Sequence, residues 1–209
     1  MIEITKTHVY GWEEAFRGMR NPMDSWSRSD SLIGKNMVQI GEADKELALK
    51  LIRGGAVHSK FMRMITVFAD VKAPFYWWKE YDTYKVGTVA NSCSTMHKIH
   101  AKELTMEDFS TEHLTDLSKN VLMLTIDAIN RNRQSFMETK DKDYWWQMIQ
   151  LLPTSYNQLR TVQLNYEVLR NIYRWRKDHK LDEWHTFCDW IKTLPYSELI
   201  TEGIDDGND

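Results

Sequence analysis

The apolar positions change period along the chain. Ile2 to Tyr10 alternates and predicts an opening strand, and Asn21 to Lys35, rich in Ser, Asp and Arg, reads as loop. Glu42 to Arg53 carries Ala43, Leu47, Leu51 and Ile52 at helical spacing, and Gly54-Gly55 supplies a stop. Phe61 to Val71 favours a strand buried mainly through Phe61, Ile65, Val67, Ala69 and Val71. Pro74 suits the first turn of a short aromatic helix, Phe75 to Tyr81, while Val86 to Ala90 fits a second strand or a loop. In the second half, Leu114, Leu117, Val121, Leu124 and Ala128, widened by Ile129, form one stripe on a helix from Thr111 to Met137. Further helices are predicted over Asp143 to Leu151, Ser155 to Lys177 and Asp182 to Thr193, the last stopping before Pro195. Strands first and helices after give an α+β class, a small sheet packed with a predominantly helical C-terminal half. A single domain over residues 1–200 and a flexible acidic tail over 201–209 are expected.

Composition narrows the function classes. The 209 residues carry a net charge of -3, so no broad basic field favours polymeric nucleic acid. A few placed arginines could still hold a small anion. Aromatics reach 12%, with nine Trp, residues suited to cores, ligand pockets or subunit contacts. Cys93 and Cys188 form no CxxC and no disulfide framework, which suits a reducing compartment. The start, Met1 to Thr5, lacks a signal peptide's apolar stretch, and no apolar run approaches the ~18 residues of a membrane span. A cytoplasmic protein without a membrane partner is the expectation.

The candidate chemistry gathers on the helix predicted over Ser155 to Lys177. Asn165 and Arg176 are eleven residues apart, which at ~100° per residue puts them on one face, about three turns from each other. Leu169, Ile172 and Tyr173 lie between them, and polar side chains on an apolar face need partners, from a neighbouring helix or from a ligand. A second row, Arg160, Glu167, Asn171 and Arg174, reads as solvated surface. Cys93, His97 and His100 have ligand chemistry but no evident fourth partner, so no metal is expected. The pairs Trp77-Trp78 and Trp145-Trp146 fit core packing better than stacking on a base.

Leu152-Pro153 followed by Asn165, Leu169, Asn171 and Arg176 resembles the C-terminal signature of the flavin-dependent thymidylate synthases, in which a Leu-Pro precedes N-x-R-x-L-x-N-F-x-x-x-R. Val71-Lys72-Ala73-Pro74 and the aromatic helix after it are similar to the segment leading into that family's main motif, and Gly55 to Phe61 resembles its G-H-x-S-x-F-like turn. The match spans roughly Glu42 to Trp184. The resemblance implies the family's fold and a bound FAD. It also implies one-carbon transfer to C5 of a pyrimidine deoxynucleotide such as dUMP, with NADPH and methylenetetrahydrofolate as co-substrates, and sites formed within a homotetramer. Carried over by position, Asn165, Asn171 and His58 are flavin contacts, and Arg176 is the arginine that binds and polarises the pyrimidine.

The chain departs from the family at Glu167, where the pattern has Arg, and at Ile172, where it has Phe. Thr83-Tyr84-Lys85 replaces the diagnostic R-H-R, and Met96 takes the place of the following segment's final Arg. Lys85 is then the candidate cofactor contact, and Ser92 and Ser94 the candidates for the nucleotide phosphate. Lys cannot reproduce the bidentate fork of Arg. Three outcomes stay open: the family reaction, a different one-carbon product such as a hydroxymethylated base, and a non-catalytic homologue that binds a nucleotide or a partner.

Overall fold

A computed structural model describes residues 2–34 and 37–203 of the chain. Strand β1 (Glu3–Tyr10) leads into helix α1 (Trp12–Arg20), a ribbon of β2 (Leu32–Gly34) and β3 (Met37–Gln39), and helix α2 (Glu42–Arg53). Strand β4 (Thr66–Pro74) runs directly into α3 (Phe75–Tyr81), followed by β5 (Val89–Ser92) and the single turn α4 (Thr95–Lys98). The long α5 (Asp116–Thr139) and α6 (Lys142–Leu151) precede β6 (Asn157–Asn165), α7 (Tyr166–Arg176), α8 (Asp182–Lys192) and α9 (Glu198–Thr201). Four strands form a sheet in the order β1-β4-β6-β5, and β2 pairs antiparallel with β3 with Leu32 opposite Gln39. A small sheet with a mostly helical second half is the α+β class read from the pattern.

The opening strand and the bounds of α2 and α3 fall where periodicity puts them. Gly55, with φ 88°, supplies the left-handed residue after α2. Pro74 stands one place before its expected position, capping α3 rather than opening it. Three expectations are corrected. Phe61 does not begin a strand: it lies in a 3-10 turn, Lys60–Arg63, and β4 starts at Thr66. Phe61 and the adjacent Met62 are both buried, which a strand pointing successive side chains to opposite faces would not permit against a single core. The alternate residues Ile65, Val67, Ala69 and Val71 are buried as expected.

The helix expected over Ser155 to Lys177 is a strand and a helix. Gln158, Val162 and Leu164 point inward at a period of two along β6, and the helix begins only at Tyr166. Asn165 has extended backbone, and its side-chain oxygen accepts from Val168 N at 2.9 Å, so it caps α7 instead of riding on it. The spacing argument that put Asn165 and Arg176 on one helical face therefore falls. The third correction concerns α5, whose predicted stripe meets the core only at its edge, through Ile129. Leu117, Val121 and Leu124 are exposed, and the helix packs through Leu122, Ile126 and Ile129, roughly 140° further around the axis. The expected ends, Lys35 and residues 204–209, lie outside the described residues; Thr201 closes α9.

Contacts divide the chain into two compact units. The first contains Val71–Thr83 and Asn91–Thr161. Its core joins Leu122, Ile126 and Ile129 of α5 to Met148 of α6 and to Ile99, Leu104 and Phe109. Thr115 and Asp141 cap α5 and α6, and Lys140, in the left-handed region at φ 60°, turns the chain between them. Asn130 fixes the Leu104 backbone from both sides, accepting from its N–H at 2.9 Å and donating to its carbonyl at 2.8 Å.

The second unit contains Ile4–Asp70, Tyr84–Ala90 and the chain from Val162. Trp12 packs edge-on against Tyr166 and Tyr196, and the Tyr166 hydroxyl donates to the Pro195 carbonyl. The loop before α2 is tied down by charge. Asp30 accepts from Ala43 N and Asp44 N at the start of α2, and Asp44 accepts from Ser29, Ser31 and Arg20. Burial raises the Asp44 pKa, but the two serine hydroxyls and Arg20 outweigh it and hold the carboxyl below its usual value. Breaking such a buried pair by removing one partner costs about 3–5 kcal/mol. The ligature fixes the start of α2.

Candidate functional site

The second unit holds a cavity of about 710 Å³. One wall is α7. That helix buries Tyr166, Leu169 and Ile172 completely and turns Glu167, Val168, Arg170, Asn171 and Arg174 into the cavity, with Asn165 at its start. Its apolar face therefore anchors it while its polar face is presented to a ligand-sized space. The opposite wall is the end of α2 and the turn after it, with Ile52, Arg53, Gly55, Ala56, Ser59 and Arg63, and Val86 and Gly87 complete the lining with Gly203.

Four arginines give the cavity its character. Arg63 makes a two-point ion pair with Glu167, its Nε 2.5 Å from Oε2 and an amino nitrogen 3.0 Å from Oε1, and this pairing raises its pKa. The family pattern has a cation at position 167; here the carboxylate stands there and the cation reaches it from the α2 side. Arg170 is pinned by the carbonyls of Ile200 and Glu202, each at 2.8 Å, and burial, then the nearby charge of Arg174, lowers its pKa. Arg53 pairs with Glu202. Arg174 is exposed, its guanidinium 5.5 Å from the Trp175 ring. Arginines in this density suit phosphate oxygens, which accept their planar forks two at a time.

The expected site residues fall into three groups. Asn165 and Asn171 both line the cavity, Asn165 from the cap of α7 and Asn171 from its body. Asn165 bonds with both amide atoms, accepting from Val168 N and donating from Nδ2 to the Gly87 carbonyl at 3.4 Å. Arg176 lies at the far end of α7, half-buried and outside the lining; its Nε donates to the Tyr84 hydroxyl at 2.9 Å, and its guanidinium lies 4.9 Å from the Trp184 ring. Lys85 is exposed between Tyr84 and the lining residue Val86. His58 is exposed on the turn after α2, its ring against Gly54, while the neighbouring Ser59 is buried and lines the cavity. Ser92 and Ser94 belong to the first unit: Ser92 ends β5, exposed, and Ser94 caps α4 by accepting from His97 N at 3.2 Å. Cys93 is exposed there, its carbonyl accepting from Gln158 Nε2 at 2.7 Å. No group of three or more His, Cys, Asp and Glu able to hold a metal ion occurs among the described residues. No helix of the described residues is long and apolar enough to cross a membrane.

Sequence reasoning passed over Arg53, Arg63 and Arg170 and treated Arg174 as solvated surface. The available signal was local: Arg53 directly precedes the Gly54-Gly55 stop, and the turn after it carries the family-like Gly55 to Phe61 pattern. That this turn faces the polar side of α7 is a tertiary fact.

No model of a known protein family matches the sequence, and no curated protein matches it by sequence. Solved structures match over nearly the whole chain. A flavin-dependent thymidylate synthase, ThyX, from Helicobacter pylori, complexed with FAD and dUMP, superposes with a TM-score of 0.68 at 17% identity, covering 94% of this chain and 96% of that one. A second structure of the Helicobacter pylori enzyme with FAD and dUMP gives 0.70 at 18% identity, covering 98% and 99%. A UMP/dUMP methylase, PolB, from Streptomyces cacaoi, bound with 5-Br dUMP, gives 0.60 at 13% identity, covering 96% and 94%. The chain is built on the fold of the flavin-dependent thymidylate synthases.

Proposed function

We propose that this protein binds FAD in the cavity beside α7 and carries out one-carbon modification, methylation in the family reaction, at C5 of a pyrimidine deoxynucleotide such as dUMP. The observation that carries the reading is that Asn165 and Asn171, the two positions matched to flavin contacts, line one cavity together with four arginines. Its volume of about 710 Å³ suits a cofactor. Amide side chains offer donors and acceptors to a ring edge, and Arg53 and Arg174 offer forks to a pyrophosphate. The residues present fit the group, with the lost R-H-R arginines replaced in kind from the end of α2 and from α7. Bound flavin would supply reducing equivalents and take part in carbon transfer, with NADPH and methylenetetrahydrofolate as co-substrates.

The chain's own residues would bind and orient. Asn165 and Asn171 position the flavin, with Lys85 and His58 at the margins of its site. Arg176 stabilises negative charge developing on the pyrimidine carbonyl. In the first unit, Ser92 and Ser94 are the candidates to hold a phosphate. Assembly into a homo-oligomer, a tetramer by the resemblance, accounts for the apolar stripe on the outer face of α5.

The test is a titration of the purified protein with FAD, read by the flavin band near ~450 nm, followed by assay with dUMP, the folate donor and NADPH. Bound, perturbed flavin and turnover are expected. With folding retained by circular dichroism, Arg176→Ala should lower kcat on the order of a hundredfold, the scale of one lost charge-stabilising donor. An unchanged rate would sink the role of Arg176. Failure to bind flavin at high concentration would leave the fold and favour the non-catalytic homologue, the reading to which Thr83-Tyr84-Lys85 in place of R-H-R lends weight.

A further inference from the structure

The segment Tyr84–Thr88 is tied to both ends of α7. At one end the Tyr84 hydroxyl accepts from Arg176 Nε at 2.9 Å, with the guanidinium carbon 5.6 Å from the Tyr84 ring and 4.9 Å from that of Trp184. At the other end the Gly87 carbonyl accepts from Asn165 Nδ2 at 3.4 Å. The segment is closed on itself, because the Thr88 hydroxyl donates to the Tyr84 carbonyl. Gly87 has φ 75°, and a Cβ there would stand 2.5 Å from Asn165 Nδ2, so the close approach to Asn165 requires glycine twice over. Between the two ties, Val86 and Gly87 line the cavity.

This geometry sets the direction in which Arg176 points. A guanidinium on a four-bond stem is free to rotate unless several sides are fixed. Here Nε is held by one hydroxyl, while the rings of Tyr84 and Trp184, crossed at 70°, bound the cation. Trp184 is fully buried and does not yield. Tyr84 is half-buried and opens a short segment, two of whose residues, Val86 and Gly87, line the cavity. Its hydroxyl is the part of the clamp that a single conservative substitution removes.

We infer that Tyr84 is a positioning residue for Arg176, and that the segment Tyr84–Thr88 is a strap setting the arginine in register with the cavity. The inference rests on the reading that Arg176 meets the pyrimidine. Tyr84→Phe keeps the ring and removes the acceptor. In 15N-labelled protein the Arg176 Nε–H resonance of this variant should shift and exchange faster with solvent. The dissociation constant for dUMP should rise roughly tenfold, the scale of one hydrogen bond to a charged group, while that for FAD changes less than about twofold. In an Arg176→Met background Tyr84→Phe should have no further effect on dUMP, because the donor it orients is gone. A merely structural tyrosine would lower the melting temperature and weaken both ligands alike, and that result overturns the inference. So does an unmoved Nε–H resonance or an unchanged dUMP affinity in a protein that binds dUMP. If the wild type binds no dUMP, the functional reading falls separately, and the inferred role of Tyr84 falls with it; the Nε–H resonance then reports the tether alone.

Discussion

Helices α5 and α7 each carry apolar side chains on more than one side, and the structure uses them in opposite ways. In α7 Tyr166, Leu169 and Ile172 are fully buried, only Trp175 near its end stands 66% exposed among its large apolar side chains, and the polar face turned from the core lines a cavity. In α5 the inner face is Leu122, Ile126 and Ile129, while a second apolar run, Leu117, Val121 and Leu124, stands 75%, 56% and 71% exposed. Periodicity says that a helix is two-sided; it does not say which side meets the core. A polar outward face beside a cavity suits a ligand. An exposed apolar one suits another macromolecular surface.

The inner face of α5 should be the most sensitive place to break this contrast. Ile126→Ala removes a buried side chain from the cluster with Met148 and Phe109, and a loss of about 2–5 kcal/mol in urea unfolding is expected. A loss below about 1 kcal/mol would mean that the face turned inward is not the one packed. The corresponding probe on α7 is smaller in stability and larger in ligand binding. Asn165→Ala removes the cap from Val168 N and the tie to Gly87, and should cost about 1 kcal/mol of stability. It should also weaken flavin by tenfold or so, the worth of roughly one hydrogen bond, whereas Ile126→Ala should leave the flavin affinity of the folded protein unchanged. Equal effects on flavin from both variants would remove the distinction between a ligand face and a packing face.

The strands and helices were legible wherever a single period ran between clear breaks. β1, α2 and α3 have such runs, bounded by Gly54-Gly55 and Pro74. The strand β6 was not legible because Asn165 to Arg176 satisfies a helical spacing regardless of where the helix begins, and the capping role of Asn165 is expressed only in its extended backbone. The stripe on α5 was misread because both of its faces are apolar, so spacing alone had two answers. For the site, position by position matching reached Asn165 and Asn171, which do share a cavity. It passed over the arginines because they reach the cavity across space: Glu167 stands where a cation was expected, and Arg63, over a hundred residues away, pairs with it. Substitutions of that kind leave no trace in a motif.

The smallest effect expected on folding belongs to the outer stripe, and there the measurement must be of mass rather than stability. Leu117 and Leu124 are already in solvent, so replacing both with Ser should change unfolding free energy by about 0.5 kcal/mol or less at each site. If the stripe is where copies of the chain meet, the double variant should lower the sedimentation mass of the protein at concentrations where the wild type is assembled, since each leucine buried between subunits contributes about 1.5–3 kcal/mol to association. Flavin bound per chain would then fall with the loss of assembly only where a second copy completes the site, and would stay constant where the α7 cavity is sufficient alone. A wild type that sediments as a monomer, or a double variant that assembles as before, would separate α5 from any role in assembly. The outer stripe would then need a partner other than a second copy, and the contrast with α7 would narrow to the polar cavity wall of one helix against the exposed apolar stripe of the other.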